Sequence, residues 1–276
     1  MDLYGCHFEF GGVSSRKYGL IFVNAETERY ILLHGESEAK TIFSKKHNRR
    51  FLVRDDYSSS PIEFEAEIMR EDEKCFDPYT IRGVEKWLFS NSRYRKLYID
   101  AGDDPAGETT ELIEGVQKRL YFNCRFKNPE KMEYNGGIVG FKFTVECDSC
   151  LAWQDETIKT FELGHSTQTD STLLNIEIDT DLDDYVYPKV TINTGSSGGD
   201  IIIVNNSDDS LRATGFSDVP PLTGIVMKGE LNYISNGYYE CFSNPNFIRF
   251  LDGTNTVSVT GDVRSITFEW QNRRYL

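Results

Sequence analysis

The chain has 276 residues, of which 39% are hydrophobic, 13% aromatic and 27% charged, a composition that argues for a folded protein with room for two domains or one large β domain. Its longest aliphatic run, Ile201–Val204, is far too short to cross a bilayer. The net charge of −14 is uneven: residues 1–150 carry 22 basic and 26 acidic side chains, residues 151–276 only 8 and 18, so the second half lacks the basic footprint that nucleic acid or anionic lipid demands.

That asymmetry predicts a domain boundary near residues 150–165. The opening ten residues, MDLYGCHFEF, show no basic region followed by an apolar core, so synthesis in the cytoplasm without a secretory leader is expected. The six cysteines are then expected as reduced thiols.

In chain order, the segment AKTIFSKKHNRRFLVR (residues 39–54) is the most basic patch. It lacks the aromatic interleaving of single-strand binders and reads as a solvated or subunit-contacting strand pair. Arg54–Ser60 reads as a polar turn. Residues 61–68 then alternate strictly, with Ile62, Phe64, Ala66 and Ile68 on one face and glutamates on the other. A helix of about three turns is predicted after Asp77-Pro78, an N-cap followed by proline at the first helical position. Ile81, Val84, Trp87 and Leu88 form its apolar face, and the pattern dissolves at Ser90-Asn91. Trp87 is expected in the core.

Two further alternating runs follow: Leu120, Phe122, Cys124 and Phe126, then Val139, Phe141, Phe143, Val145 and Cys147. Alternation of this kind marks half-buried antiparallel strands. Beyond residue 160 the texture changes to short strands between glycine and asparagine turns: Pro188–Ile192, Asp200–Val204, Thr256–Thr260 and Ser265–Trp270. Such spacing without a helical period predicts an all-β sandwich.

Candidate chemistry is thin. Cys147-Asp148-Ser149-Cys150 is a Cys-x-x-Cys, but no second pair accompanies it; Cys6, Cys75, Cys124 and Cys241 are scattered, and His7, His34, His47 and His165 form no ligand pair. A thioredoxin-type pair opens a helix, whereas Cys147 ends a strand, so buried structural thiols are expected. Asp179–Asp184 resembles the start of a calcium loop but has Asp184 where glycine is needed and Val190 where a bidentate glutamate is needed. An acidic surface turn is the expectation. No nucleophile elbow, P-loop or zinc-protease motif is present. Tyr238, Tyr239 and Phe242, with Trp270, are candidates for a saccharide-stacking platform, set against the commoner role of such aromatics as core.

The order of these features resembles the distal tail proteins of long-tailed siphophages, the Dit family. Phe8–Phe22, FEFGGVSSRKYGLIF, is similar to the family's opening, in which Phe-x-Phe-x-Gly-x-x-Ser precedes Tyr-Gly-Leu. Trp87-Leu88 followed by Arg95–Asp100 resembles its Trp-Leu…Leu…Asp segment. VGFKFTVECDSCLAW resembles its closing strand, with Cys150 where proline is commoner. Phe250–Val257 resembles a late Gly-x-Asn turn. The chain departs from the family at Gly35–Glu38, where a Gly-x-Asp/Glu-Gly hairpin is common.

The resemblance implies a mainly β protein. Residues 1–155 would be an antiparallel β domain with one α-helix that forms a ring, and residues 156–276 a galectin-like or carbohydrate-module-like β-sandwich. It further implies a non-enzymatic structural protein of the virion, with no cofactor or metal, assembling as a homo-hexamer between the tail tube and the tip or baseplate. Its implied partners are the tail tube protein, the tape-measure protein, a tail-associated tip protein and, in some cases, a receptor-binding protein, with neither specific nucleic-acid binding nor membrane insertion. The alternative reading is a carbohydrate-binding module for host-surface saccharide.

Overall fold

The computed structural model describes residues 5–24, 36–44, 49–58, 61–90, 92–100, 110–113, 116–181, 184–208, 212–235 and 237–274. The contacts divide the chain into two compact units. The first is Met1–Gln154 with Arg274–Leu276 and the second is Asp155–Arg273.

In the first unit the strands are β1 (His7–Phe10), β2 (Val13–Ser14), β3 (Leu20–Asn24), β4 (Glu36–Ser44), β5 (Arg49–Ser58) and β6 (Glu63–Arg70). After the helix α1 (Pro78–Leu88) come β7 (Arg95–Asp100), β8 (Thr110–Ile113), β9 (Val116–Tyr134), β10 (Gly137–Cys147) and β11 (Ala152–Gln154). The main sheet runs β2-β1-β7-β9-β10-β6-β3, with β8 and β11 also on β9. It curls until its last strand meets the residues leading into its first: Gly5 N–H donates to Phe22 O at 2.7 Å and Phe22 N–H to Cys6 O at 3.0 Å. Closure of this kind pairs an edge that would otherwise be an open template for other chains.

The inward faces fill with Phe8, Phe10, Phe22, Ile68, Leu97, Phe122, Phe126, Phe141, Phe143 and Val145. The alternating runs therefore lie on the core side as their phase predicts, Cys124 and Cys147 included. Gly140 has no room for a side chain, because a Cβ there would sit 2.3 Å from Ile68 O. It lies at a register shift where β10 bends between β6 and β9.

The helix starts where the sequence places it. Asp77 accepts from the N–H groups of Tyr79 and Thr80, and Pro78 takes the first position. Val84, Trp87 and Leu88 are buried. Trp87 is core, stacked on Phe8 at 5.7 Å and on Tyr18 at 5.3 Å.

One expectation is corrected. Arg54–Ser58 is not a turn but the second half of β5, which pairs with β4 from Arg49↔Ser44 to Ser58↔Glu36. Pairing with a neighbouring strand overrides the local polarity of RDDYS, because strand preference depends on context more than on residue type. Glu36–Glu38, part of the stretch where the chain departs from the family's hairpin, opens β4; Gly35 and the side chains of the basic segment lie outside the described residues.

The second unit is built from β12 (Thr157–Glu162), β13 (Ser171–Ile178), β14 (Lys189–Thr194), β15 (Gly199–Asn205) and β16 (Ala213–Val219). They are joined by β17 (Gly224–Lys228), β18 (Tyr233–Ile234), β19 (Asn244–Pro245), β20 (Gly253–Thr260) and β21 (Val263–Trp270). They form two five-stranded sheets, β12-β21-β14-β17-β18 and β13-β20-β15-β16-β19. Ile176, Val190, Ile192, Ile201, Ile203, Phe216, Ile225, Val257, Val259, Ile266 and Phe268 pack as one core. Alternate inward residues from both sheets are what make this a sandwich.

Candidate assembly surfaces

With the interior of the first unit filled, its chemistry lies on the outward face. β9 turns Leu120, Phe122, Cys124 and Phe126 inward, so Arg119, Arg125 and Lys127 project on the other side. Cross-strand register sets Glu146 of β10 opposite Arg125. Arg125 Nε and Nη2 both reach Glu146 Oε1 at 2.6 Å, the Tyr94 hydroxyl donates to the same oxygen at 2.8 Å, and Lys127 Nζ pairs with Oε2. The Glu146 side chain is only 15% exposed, which strengthens these charge-assisted bonds relative to surface pairs. On β10, Lys142 pairs with Glu65 of β6 at 2.8 Å.

A second cluster alternates cations with aromatic rings. Arg119 bonds Glu9 at 3.1 Å and lies 4.0 Å over the Tyr98 ring, Tyr98 meets Tyr121 at 5.4 Å, and Lys96 lies 4.0 Å over Tyr121. Tyr121 is buried, so the accessible part of the row is Arg119, Tyr98 and Lys96, and tyrosine and arginine held in fixed positions are the residue types enriched where proteins dock on proteins. Each carboxylate named here is engaged by a cation, an arrangement suited to recognition and not to proton transfer.

The thiols sort by position. Cys147 ends β10 and faces Cys124 of β9, both buried, whereas Cys150 is half-buried in the bend that follows. Burial, and then the neighbouring Cys147 thiol, push the Cys124 thiol well above its ordinary pKa. All six cysteines are unlinked, and no cluster of three or more metal-binding side chains occurs among the described residues.

In the second unit two buried polar residues hold loops. Asp262 Oδ2 accepts from the N–H groups of Ser197 and Gly198 at 2.5 and 2.7 Å, anchoring the glycine-rich turn before β15. Asn255 accepts from Leu251 N–H at 2.9 Å and from Asn205 Nδ2 at 2.8 Å, and donates to the Leu251 and Gly253 oxygens. Gly253, at φ +85°, supplies the left-handed backbone this turn needs. Between them the outward face of β20 presents Thr254, Thr256, Ser258 and Thr260. Thr254 bonds Glu177 of β13 at 2.5 Å and Thr260 bonds Ser171 at 3.0 Å. Leu173 stands out of β13, 66% exposed.

A family model described as the N-terminal domain of a phage tail protein matches residues 3–149, and one described as a phage tail C-terminal domain matches residues 151–270. The chain belongs to this phage tail protein family. The crystal structure of the Dit protein of phage SPP1, described as a paradigm of the hub adsorption apparatus of phages infecting Gram-positive hosts, is similar over 98% of this chain and 99% of that one, with a TM-score of 0.60 at 8% identity. A chain of the phage p2 baseplate in its activated conformation with strontium is similar over 98% and 99%, with a TM-score of 0.50 at 9% identity. No curated protein matches the sequence.

In the tail protein the aromatic residues singled out from sequence are split between core and surface. Trp270 is buried, edge-on to Phe250 at 6.1 Å, and so is no part of a surface platform. Phe242 packs between Phe216 at 5.1 Å and Phe247 at 5.4 Å, and Tyr238 leans on the same core. Tyr239 is 52% exposed, and its hydroxyl accepts from Ile234 N–H at 2.9 Å. In the acidic turn, Asp184 accepts from Tyr185 N–H at 2.7 Å and faces Arg273 at 3.9 Å, while residues 182 and 183 lie outside the described ones. His7 bonds Leu20 O at 3.1 Å, and His165 bonds Gly261 O at 2.9 Å and the Thr172 hydroxyl at 2.7 Å, so each of these histidines ties a backbone carbonyl within its own unit.

Sequence reasoning missed the Glu146 cluster and the cation–aromatic row. Their members are far apart in the chain, and only register brings them together. It also passed over the Asp262 anchor. The glycine-rich turn at 195–199 was the available signal that a nearby acceptor was required.

Proposed function

We propose that this tail protein is the structural hub at the distal end of a siphophage tail, a six-membered ring that joins the tail tube to the tip or baseplate. The observation that carries the reading is the likeness to a Dit hub along essentially its entire length, both domains included. In this proposal residues 1–155 form the ring and residues 156–276 project outward as a sandwich. The ring would contact the tail tube protein, the tape-measure protein and a tail-associated tip protein, and in some particles a receptor-binding protein. The protein carries no catalytic role. The paired-charge outer face of the first unit suits such contacts, because each carboxylate already has a cation beside it and docking would strand no unpaired charge.

The test is location. Gold-labelled antibody raised against the purified chain is applied to intact particles and imaged. Label confined to the distal end of the tail supports the hub; label along the tube or on the capsid overturns it.

A further inference from the structure

The two thiols that face one another are not the pair that sequence suggests. Cys147 sits directly opposite Cys124 in the antiparallel β9–β10 register. Its own N–H points away from β9, donating to Ile62 O at 2.8 Å, while the next N–H, of Asp148, donates across to Asn123 O at 2.9 Å. Cys124 and Cys147 are therefore a non-hydrogen-bonded cross-strand pair. Such a pair holds its Cα atoms about 4.5 Å apart with side chains converging. That separation falls inside the ~4.4–6.8 Å range a disulfide spans. Both side chains point into the same core, 0% and 1% exposed, and both are unlinked.

A virion component also meets two redox environments, the reducing interior in which particles are built and the oxidising medium into which they are released. We infer that Cys124 and Cys147 are a modification site, closing to a cross-strand disulfide when the released protein meets a small peroxide oxidant. Burial selects the oxidant, since hydrogen peroxide enters where a bulky disulfide does not. Cys147 is the point of entry, because it is the last residue of β10, where strand ends open first.

The chemistry balances in two steps. With the strand end open to water, the Cys147 thiol gives up its proton and its sulfur attacks one peroxide oxygen; the O–O bond breaks and the departing hydroxide combines with that proton as water, giving the sulfenic acid. The Cys124 sulfur then attacks the Cys147 sulfur, the S–O bond breaks, and a second water leaves. Two thiols and one peroxide become one disulfide and two waters.

The experiment uses the full chain. Reduced protein is desalted, incubated with hydrogen peroxide, alkylated with iodoacetamide under denaturing conditions and mapped by peptide mass spectrometry. The expected product is a linked peptide pair carrying Cys124 and Cys147, two hydrogens lighter than the sum of its parts and released by dithiothreitol. The same link is expected in Cys150→Ser. The inference is overturned if Cys147 is joined to Cys150, or if Cys124 and Cys147 are recovered fully alkylated while the exposed Cys75 has been oxidised.

Discussion

The indole N–H of Trp87 donates to the backbone oxygen of Phe10 at 2.8 Å, tying α1 to β1 across 77 positions of sequence. The same indole stacks on Phe8 and Tyr18, so one side chain joins the helix, the first strand and the 3-10 turn Ser15–Tyr18 that follows β2. Trp87→Phe keeps an apolar ring but removes the donor, leaving a buried acceptor; a loss of about 1–3 kcal/mol is expected. Trp87→Ala adds a cavity and costs about 3–5 kcal/mol. Urea unfolding followed by circular dichroism measures both.

Acid is expected to destabilise the protein through its caps. Asp77 is held below the ordinary carboxylate range first by the Thr80 hydroxyl at 2.5 Å and then by backbone N–H groups. Asp170 is lowered chiefly by the Ser166 N–H, and Asp72 by its pairing with Arg70. A carboxyl whose folded pKa is depressed binds its proton less readily folded than unfolded. Its stabilisation is therefore complete above the ordinary aspartate value of about 4 and disappears as pH falls through the lower, folded value. Thermal midpoints should hardly change on these groups' account between pH 7 and 5 and should fall below pH 4. Asp77→Asn, which keeps an acceptor but no titrating group, should show a shallower fall.

Asn255 is fully buried and uses both ends of its amide, binding Leu251, Gly253 and Asn205. Asn255→Ala strands several of these partners and is expected to cost about 2–4 kcal/mol, from one to three kcal/mol for each acceptor or donor left unpaired, offset by water entry. Hydrogen exchange localises the effect: protection should drop at Leu251 and along the start of β20.

Phe242 separates the two readings of the aromatic patch in the sandwich. Because it packs on Phe216 and Phe247, Phe242→Ala is expected to lower stability by about 2–3 kcal/mol, somewhat under the cost of a fully buried phenylalanine. Tyr239→Ala removes little packing but takes the acceptor from Ile234 N–H, so a smaller loss of about 1 kcal/mol is expected. Denaturant midpoints of the two variants check the difference.

Much of this fold is legible in the sequence, and the failures have physical causes. The runs ending at Ile68, Phe126 and Cys147 declare their inward faces because one side of each strand meets the core and the other meets solvent. Asp77-Pro78 announces the helix because capping is a local event. The extent of β5 is not legible, since the charges at Arg54–Asp56 are tolerated only through pairing with β4. Nor is β16, ATGFSDV, where Gly215 makes room for Asn244 and Asp218 takes a left-handed φ of 55°. Both residues speak against a strand when read alone. Sheet closure through Gly5 and Phe22, the Glu146 cluster and the facing of Cys124 by Cys147 depend on register between distant segments. A single sequence encodes that register only through the packing it produces.

A six-membered hub has a mass that one chain cannot have, and weighing the assembled protein distinguishes the two. Native mass spectrometry of the full chain, alone and mixed with the tail tube protein of the same particle, is predicted to show a species of six copies. A single-chain mass at every concentration, with and without that partner, would rule out the ring.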